Sequence, residues 1–143
     1  MTLLDANILL YAYHAGAPEH AACRRWLEEA LGGWQPLLLP WTTILAFLRI
    51  STNPRIFRTP LTMAEAAAAV ESWLGQPVVR LLQPTERHWE TLSALLAGSQ
   101  ISGHFVTDAD LAALALEHGA TLCTTDRDFS RFPGLKLLNP LAV

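Results

Sequence analysis

Residues 2–10 read Thr2-Leu3-Leu4-Asp5-Ala6-Asn7-Ile8-Leu9-Leu10, and this stretch decides the fold. Thr2 to Leu4 is a short apolar run, the pattern of a strand covered on both sides rather than one facing water. An acid, Asp5, closes the strand, and the apolar run from Ile8 to His14 reads as a helix.

Working outward, the same alternation of strand and helix continues. A helix spans about Pro18 to Leu31, with Pro18 suited to its first turn and Gly32-Gly33 stopping it. Pro36 to Leu39 is a buried apolar run. Trp41 to Ser51 follows as a helix apolar nearly all round, which suits a core or an interface. Thr62-Met63-Ala64-Glu65 is a capping box opening an Ala-rich helix to about Leu74. Val78 to Leu82 reads as a strand, and Glu86 to Ala97 as a helix with Trp89, Leu92, Leu95 and Leu96 on its apolar stripe. Asp108 to His118 is a further helix closed by Gly119, and Thr121 to Thr124 and Leu135 to Leu138 are the last strands. The expected fold is α/β, with three layers and a central, mostly parallel sheet, in a single domain over residues 1–143.

Apolar residues make up 51% of the chain and charged residues 16%, against about 25% charged in an average soluble domain. So little charge, together with five Trp, points to an apolar surface used by a partner. No apolar run approaches the roughly 20 residues of a membrane span, and the N-terminus lacks the basic segment of a signal peptide. Cys23 and Cys123 lack metal-ligand spacing and read as reduced thiols, so a cytoplasmic location is expected. A net charge of −3 gives no support for nucleic-acid binding, but nine of the ten basic residues are Arg, the side chain suited to bidentate phosphate contacts.

The thirteen acids divide sharply. All eight Glu fall in expected helices, whereas Asp5, Asp108, Asp110, Asp126 and Asp128 fall at strand ends or helix starts. In an open parallel sheet the carboxyl ends of strands line the crevice where ligands bind. Asp5 ends the first strand, Asp126 follows Thr121 to Thr124, and Asp108 follows the stretch His104 to Val106, read as extended. Like charges brought together raise their pKa values or take up a cation. A hard divalent ion held by carboxylate oxygens can bridge a phosphate, so cluster, metal and phosphodiester cleavage form one argument. Helix capping is the competing account. Thr107 with Asp110, and Thr125 with Asp128, resemble capping boxes, which leaves Asp5 unexplained.

Three fragments together resemble PIN domains. Leu3-Leu4-Asp5-Ala6-Asn7-Ile8-Leu9-Leu10 is similar to their opening strand with its metal-binding Asp and following Asn. Thr107-Asp108-Ala109-Asp110-Leu111-Ala112-Ala113-Leu114-Ala115 resembles their central helix, and Thr121-Leu122-Cys123-Thr124-Thr125-Asp126-Arg127-Asp128-Phe129 their closing signature. Leu45-Ala46-Phe47-Leu48-Arg49-Ile50-Ser51-Thr52-Asn53-Pro54-Arg55 is similar to a subgroup of VapC-type toxins, the ribonuclease half of type II toxin–antitoxin pairs. The resemblance implies a PIN-like fold, Mg²⁺ or Mn²⁺ as cofactor, endoribonuclease activity on structured RNA (tRNA or rRNA), a homodimer and a small antitoxin partner. It implies Asp5, Asp108 and Asp126 as catalytic metal ligands, supported by Asn7, Thr124 and Asp128.

One departure stands out. Where most PIN sites carry a further acid, usually Glu, this chain has Ala46, so weaker or single-ion metal binding is expected. Asp110 is the poorer substitute, since two residues along a helix lie about 200° apart and it faces away from Asp108. Arg49, Arg55, Arg58, Arg127 and Arg131 are candidate RNA contacts. The helix Trp41 to Ser51, with Trp34 and Trp73, offers anchors for an antitoxin peptide. The five His residues show no ligand spacing and carry no assigned chemistry. The alternative reading is a catalytically reduced PIN-fold interaction module, which Ala46 favours.

Overall fold

The computed structural model describes residues 1–98 and 101–142. Strands β1 (Thr2–Leu4), β2 (Leu37–Pro40), β3 (Val79–Leu82), β4 (Thr121–Cys123) and β5 (Lys136–Leu138) form one sheet in the order β3-β2-β1-β4-β5. All four pairings are parallel, with Leu3 opposite both Leu38 and Leu122. Helices α1 (Ala6–Ala12), α2 (His20–Leu31), α3 (Trp41–Ser51) and α4 (Met63–Leu74) connect β1 to β2 and β2 to β3; α5 (His88–Gly98) and α6 (Val106–His118) connect β3 to β4.

The central strands β1, β2 and β4 feed two cores because successive side chains point to opposite faces. Leu4, Leu37, Leu39 and Cys123 pack with Ile8, Leu27, Phe47 and Trp73 of α1–α4. Leu3, Leu38 and Leu122 pack with Leu95 of α5 and with Ala109, Ala112, Ala113 and Ala115 of α6. The alanines give α6 a smooth face that lies close against the sheet. Burial on both faces is why these central strands are apolar without alternation, whereas the edge strands β3 and β5 expose Arg80 and Lys136.

Several boundaries move for identifiable reasons. The Asp5 carboxylate accepts the Ala6 N–H at 2.7 Å, so α1 starts directly after β1 rather than at Ile8. Pro18 lies in the turn before α2, which begins at His20, and α5 begins at His88 rather than Glu86. The stretch His104 to Val106 is not extended. Gly103–Phe105 is a 3-10 turn running into α6, closed by a Phe105 N–H to Ser102 carbonyl bond of 2.9 Å. Asp108 is therefore delivered by the first turn of α6, and Thr107 lies inside the helix and does not cap it. Likewise Asp126, not Thr125, caps the 3-10 turn Arg127–Arg131 by accepting the Asp128 N–H at 2.9 Å. The Thr62–Glu65 capping box is present, and Gly119 ends α6 at φ 65°.

This topology places the site. The strand order reverses between β1 and β4, so the helices after β1 and β4 leave on opposite sides and a crevice opens at their carboxyl ends. Asp5 and Thr124 stand there, one residue beyond β1 and β4 respectively.

Candidate active site

A cleft of about 340 Å³ opens at that switch point. Asp5, Asn7, Thr43, Ala46, Arg49, His104, Asp108 and Asp126 are among the residues that line it. Three acids from three separate elements thus share one cavity. At its floor the hydroxyl of Thr124, almost fully buried, joins them. It donates to Asp5 Oδ2 at 2.8 Å and accepts from the Asp126 N–H at 3.0 Å and from Asn7 Nδ2 at 3.3 Å. A hydroxyl has one proton and two lone pairs, so this one is fully used. Its proton goes to the Asp5 carboxylate, which orients Asn7 with its nitrogen toward Thr124 and leaves Asn7 Oδ1 buried without a partner.

The electrostatics follow from the same crowding. Burial pushes the Asp5 carboxyl up to about 6; the Thr124 hydroxyl and the Ala6 N–H pull it back, and Asp108 and Asp126 raise it further. Burial also raises Asp108, with Asp126 and Asp128 adding to the effect and Arg131 and His104 opposing it. Among the described residues no three His, Cys, Asp or Glu side chains already converge as a cage around an ion. The donor set nevertheless fits a hard divalent cation, because it is all oxygen, gathers three carboxyl groups in one cleft and includes the orphaned Asn7 oxygen.

The remaining sequence candidates divide. Arg49 lines the cleft, whereas Arg55 and Arg58 lie exposed after α3. Arg127 borders a neighbouring hollow of about 320 Å³ with Thr124, Asp126 and Asn139. Asp128 is exposed and stands 3.8 Å from Arg131, which also donates to the Asp128 carbonyl at 3.0 Å and covers the Phe105 ring at 3.9 Å. Ala46 lines the cleft on α3. Asp110 is outside it, bound to Thr42 Oγ1 at 2.9 Å and to His88 Nε2 at 2.7 Å. His104 and His88 were given no chemistry from the sequence. His104 lines the cleft and His88 bridges two acids, contacts that reach across the fold and leave no spacing pattern to read.

The antitoxin anchors expected from Trp content do not form one surface. Trp73 is 1% exposed, its Nε1–H donating to Tyr13 Oη at 2.9 Å and its ring edge-on to Phe47. It belongs to the core. Trp34 is 83% exposed but lies with Thr2 and Leu37 at the amino ends of the strands, the end of the sheet opposite the carboxylates. Trp41 and Leu45, one turn apart on α3, form an exposed apolar pair and adjoin in sequence the cleft-lining Thr42 and Ala46.

The family model for the PIN domain matches residues 2–135, nearly the whole chain. The chain belongs to the PIN-domain family. This PIN domain is 38% identical over 143 residues to Ribonuclease VapC37 of Mycobacterium tuberculosis, covering 100% of this chain and 99% of that one. Its fold superposes on the M. tuberculosis VapC20 crystal structure, described as a sarcin-ricin loop cleaving toxin, with a TM-score of 0.69, 19% identity and coverage of 95% and 99%. A toxin–antitoxin complex from Klebsiella pneumoniae gives a TM-score of 0.66 at 18% identity, covering 98% of both chains. The PIN assignment agrees with the all-parallel sheet and its switch-point cleft.

Proposed function

We propose that this PIN domain is a metal-dependent endoribonuclease, the toxin of a type II toxin–antitoxin pair, acting on structured RNA such as tRNA or rRNA. The observation that carries the reading is the convergence of Asp5, Asp108 and Asp126 on one cleft over the Thr124 hydroxyl. Identity to curated VapC ribonucleases along the full chain supports the ribonuclease and toxin assignments.

Asp5, Asp108 and Asp126 would hold Mg²⁺ or Mn²⁺, and Asn7, whose Oδ1 is buried without a partner, lines the same cleft. Such an ion, when bound, polarises a phosphoryl oxygen and makes a water a better nucleophile at neutral pH. The protein's own residues do the positioning. Thr124 fixes the Asp5 carboxylate and the backbone of Asp126 through one hydroxyl, and the Ala6 N–H holds the second Asp5 oxygen. Arg49, on the α3 wall, is placed to bind the phosphate that the carboxylates would otherwise repel.

The antitoxin reading rests on charge. A basic side chain from a small partner entering the cleft would neutralise the three acids and occupy the ion's place. The exposed Trp41 and Leu45 beside the cleft suit an antitoxin helix or a second copy of the chain in a homodimer. Ala46 is the one observation favouring a catalytically reduced interaction module, since α3 supplies no acid to the cleft.

Cleavage of total RNA by purified, antitoxin-free protein decides between them. Discrete cuts with Mg²⁺ or Mn²⁺, lost with EDTA and in Asp5→Asn, are the expected result. Well-folded protein that cuts neither tRNA nor rRNA would leave the interaction module standing.

A further inference from the structure

Next to the cleft, α5 and α6 share a cluster that the carboxylate site does not use. His88, the first residue of α5, lies between two acids of α6: Nε2 is 2.7 Å from Asp110 Oδ1 and Nδ1 is 2.9 Å from Glu117 Oε2. Both ring nitrogens face carboxylate oxygens, and ionised carboxylates accept and do not donate, so the arrangement favours the doubly protonated imidazolium. Burial opposes that charge, but the hydrogen bonds to Glu117 and Asp110 outweigh it and hold the His88 pKa above its ordinary value. The Glu117 side chain is 3% exposed, and its other oxygen accepts the Thr85 N–H at 2.9 Å. The other charged or titratable groups nearby are His118, 3.9 Å from Glu117 Oε1, and the pair formed by Glu90 of α5 with Arg87 just before that helix.

The cluster reaches the cleft through Asp110. Its Oδ2 accepts from Thr42 Oγ1 at 2.9 Å, and among the described residues this is the side-chain hydrogen bond joining α3 to α6. The next residue, Thr43, donates to the carbonyl of Leu4, beside Asp5, at 2.6 Å. Two adjacent threonines thus pin the first turn of α3 to the helix carrying Asp108 and to the strand carrying Asp5. From Thr42 the positions four and seven residues on, Ala46 and Arg49, fall on the same helix face. All three line the cleft.

We infer that Thr42 is a positioning residue for RNA binding: bolted to α6 through Asp110 and His88, it sets the face of α3 so that Arg49 meets the phosphate opposite the carboxylates. The inference rests on the ribonuclease reading above. The Thr42 hydroxyl is donated to Asp110 and acts through the placement of Arg49, so its loss weakens substrate binding without altering the chemical step.

The test is steady-state cleavage of bulk tRNA and rRNA by Thr42→Val, Thr42→Ser, Arg49→Gln and the double variant Thr42→Val/Arg49→Gln, with thermal melting and Mn²⁺ titration alongside. Thr42→Val is expected to raise KM about fivefold to tenfold at unchanged kcat, the signature of lost uniform binding. Mn²⁺ binding should stay as in the unsubstituted protein, Thr42→Ser should restore KM, and the double variant should be no worse than Arg49→Gln alone. An unchanged KM in Thr42→Val would overturn the inference. So would effects that multiply with Arg49→Gln, or a loss confined to kcat and melting temperature. Absence of cleavage by the unsubstituted protein would instead remove the ribonuclease reading and the inference with it, an outcome distinct from all of these.

Discussion

At Asp5 the folded chain disfavours the charge that its proposed function requires. The carboxyl is pushed up to about 6 in the fold, against 3.8 for an unperturbed aspartate, so between those values the folded state holds more protons than the unfolded one. Stability of the metal-free protein therefore falls as pH rises through this window, by an amount on the order of 3 kcal/mol for a two-unit shift. His88 acts in the same direction: its raised pKa stabilises the fold fully below the ordinary imidazole value, and that contribution is lost as pH rises through the raised one. Thermal melts in EDTA should show Asp5→Asn more stable than the unsubstituted protein at pH 7 and the difference vanishing near pH 4. Equal stability at pH 7 would mean that Asp5 is not strained by its surroundings. Thr124→Val removes the hydroxyl that serves Asp5, Asp126 and Asn7 together, and should destabilise by about 1–3 kcal/mol, with activity lost even where the protein remains folded; Thr124→Ser should retain both. Much of this site was legible, because the five Asp fall at expected element ends while every Glu falls in an expected helix. The His88–Asp110–Glu117 cluster was not, since residues 22 and 29 positions apart meet only once α5 lies on α6.

Among the elements, α3 is where this chain departs most from the pattern its motifs suggest. It forms a wall of the cleft and contributes Ala46 where an acid would complete the ligand set. Ala46→Glu should therefore strengthen Mn²⁺ binding and move its stoichiometry from one ion toward two, as read by calorimetric titration. Weaker binding would show that α3 stands too far away or too crowded to supply a ligand. At the other end of α6, Gly119 sits at φ 65°, where a Cβ is strained, and Gly119→Ala should cost about 1 kcal/mol in a denaturant melt. The central strands β1, β2 and β4 were legible because burial on both faces makes them nearly uniformly apolar. The start of α6 was not. Ser102 stands at the N-cap of the 3-10 turn but makes no side-chain cap bond, and α6 grows out of that turn, which is closed through backbone groups.

For the molecule as a whole, the strand order explains why the acids meet. With β1 central and the order reversing beside it, the ends of β1 and β4 and the first turn of α6 come to one edge without any sequence proximity among Asp5, Asp108 and Asp126. The low charge of the chain points to a partner surface, but Trp content alone does not separate Trp73, locked against Tyr13 and Phe47, from Trp41 and Trp34 at opposite ends of the sheet. Packing decides that, and composition carries no record of it. A cation bound to the fold and not to the unfolded chain must stabilise the fold, by about 2.7 kcal/mol at a hundredfold excess over its dissociation constant. Mn²⁺ should accordingly raise the melting temperature by several degrees, and Asp108→Asn should abolish the rise. The measurement that bears most directly on the three-carboxylate centre is an electron paramagnetic resonance titration of Mn²⁺ into the unsubstituted protein and its Asp5→Asn, Asp108→Asn and Asp126→Asn variants. One ion bound per chain, released or much weakened by each substitution, is the expected result; Mn²⁺ that fails to bind, or that binds equally well to all three variants, would contradict it.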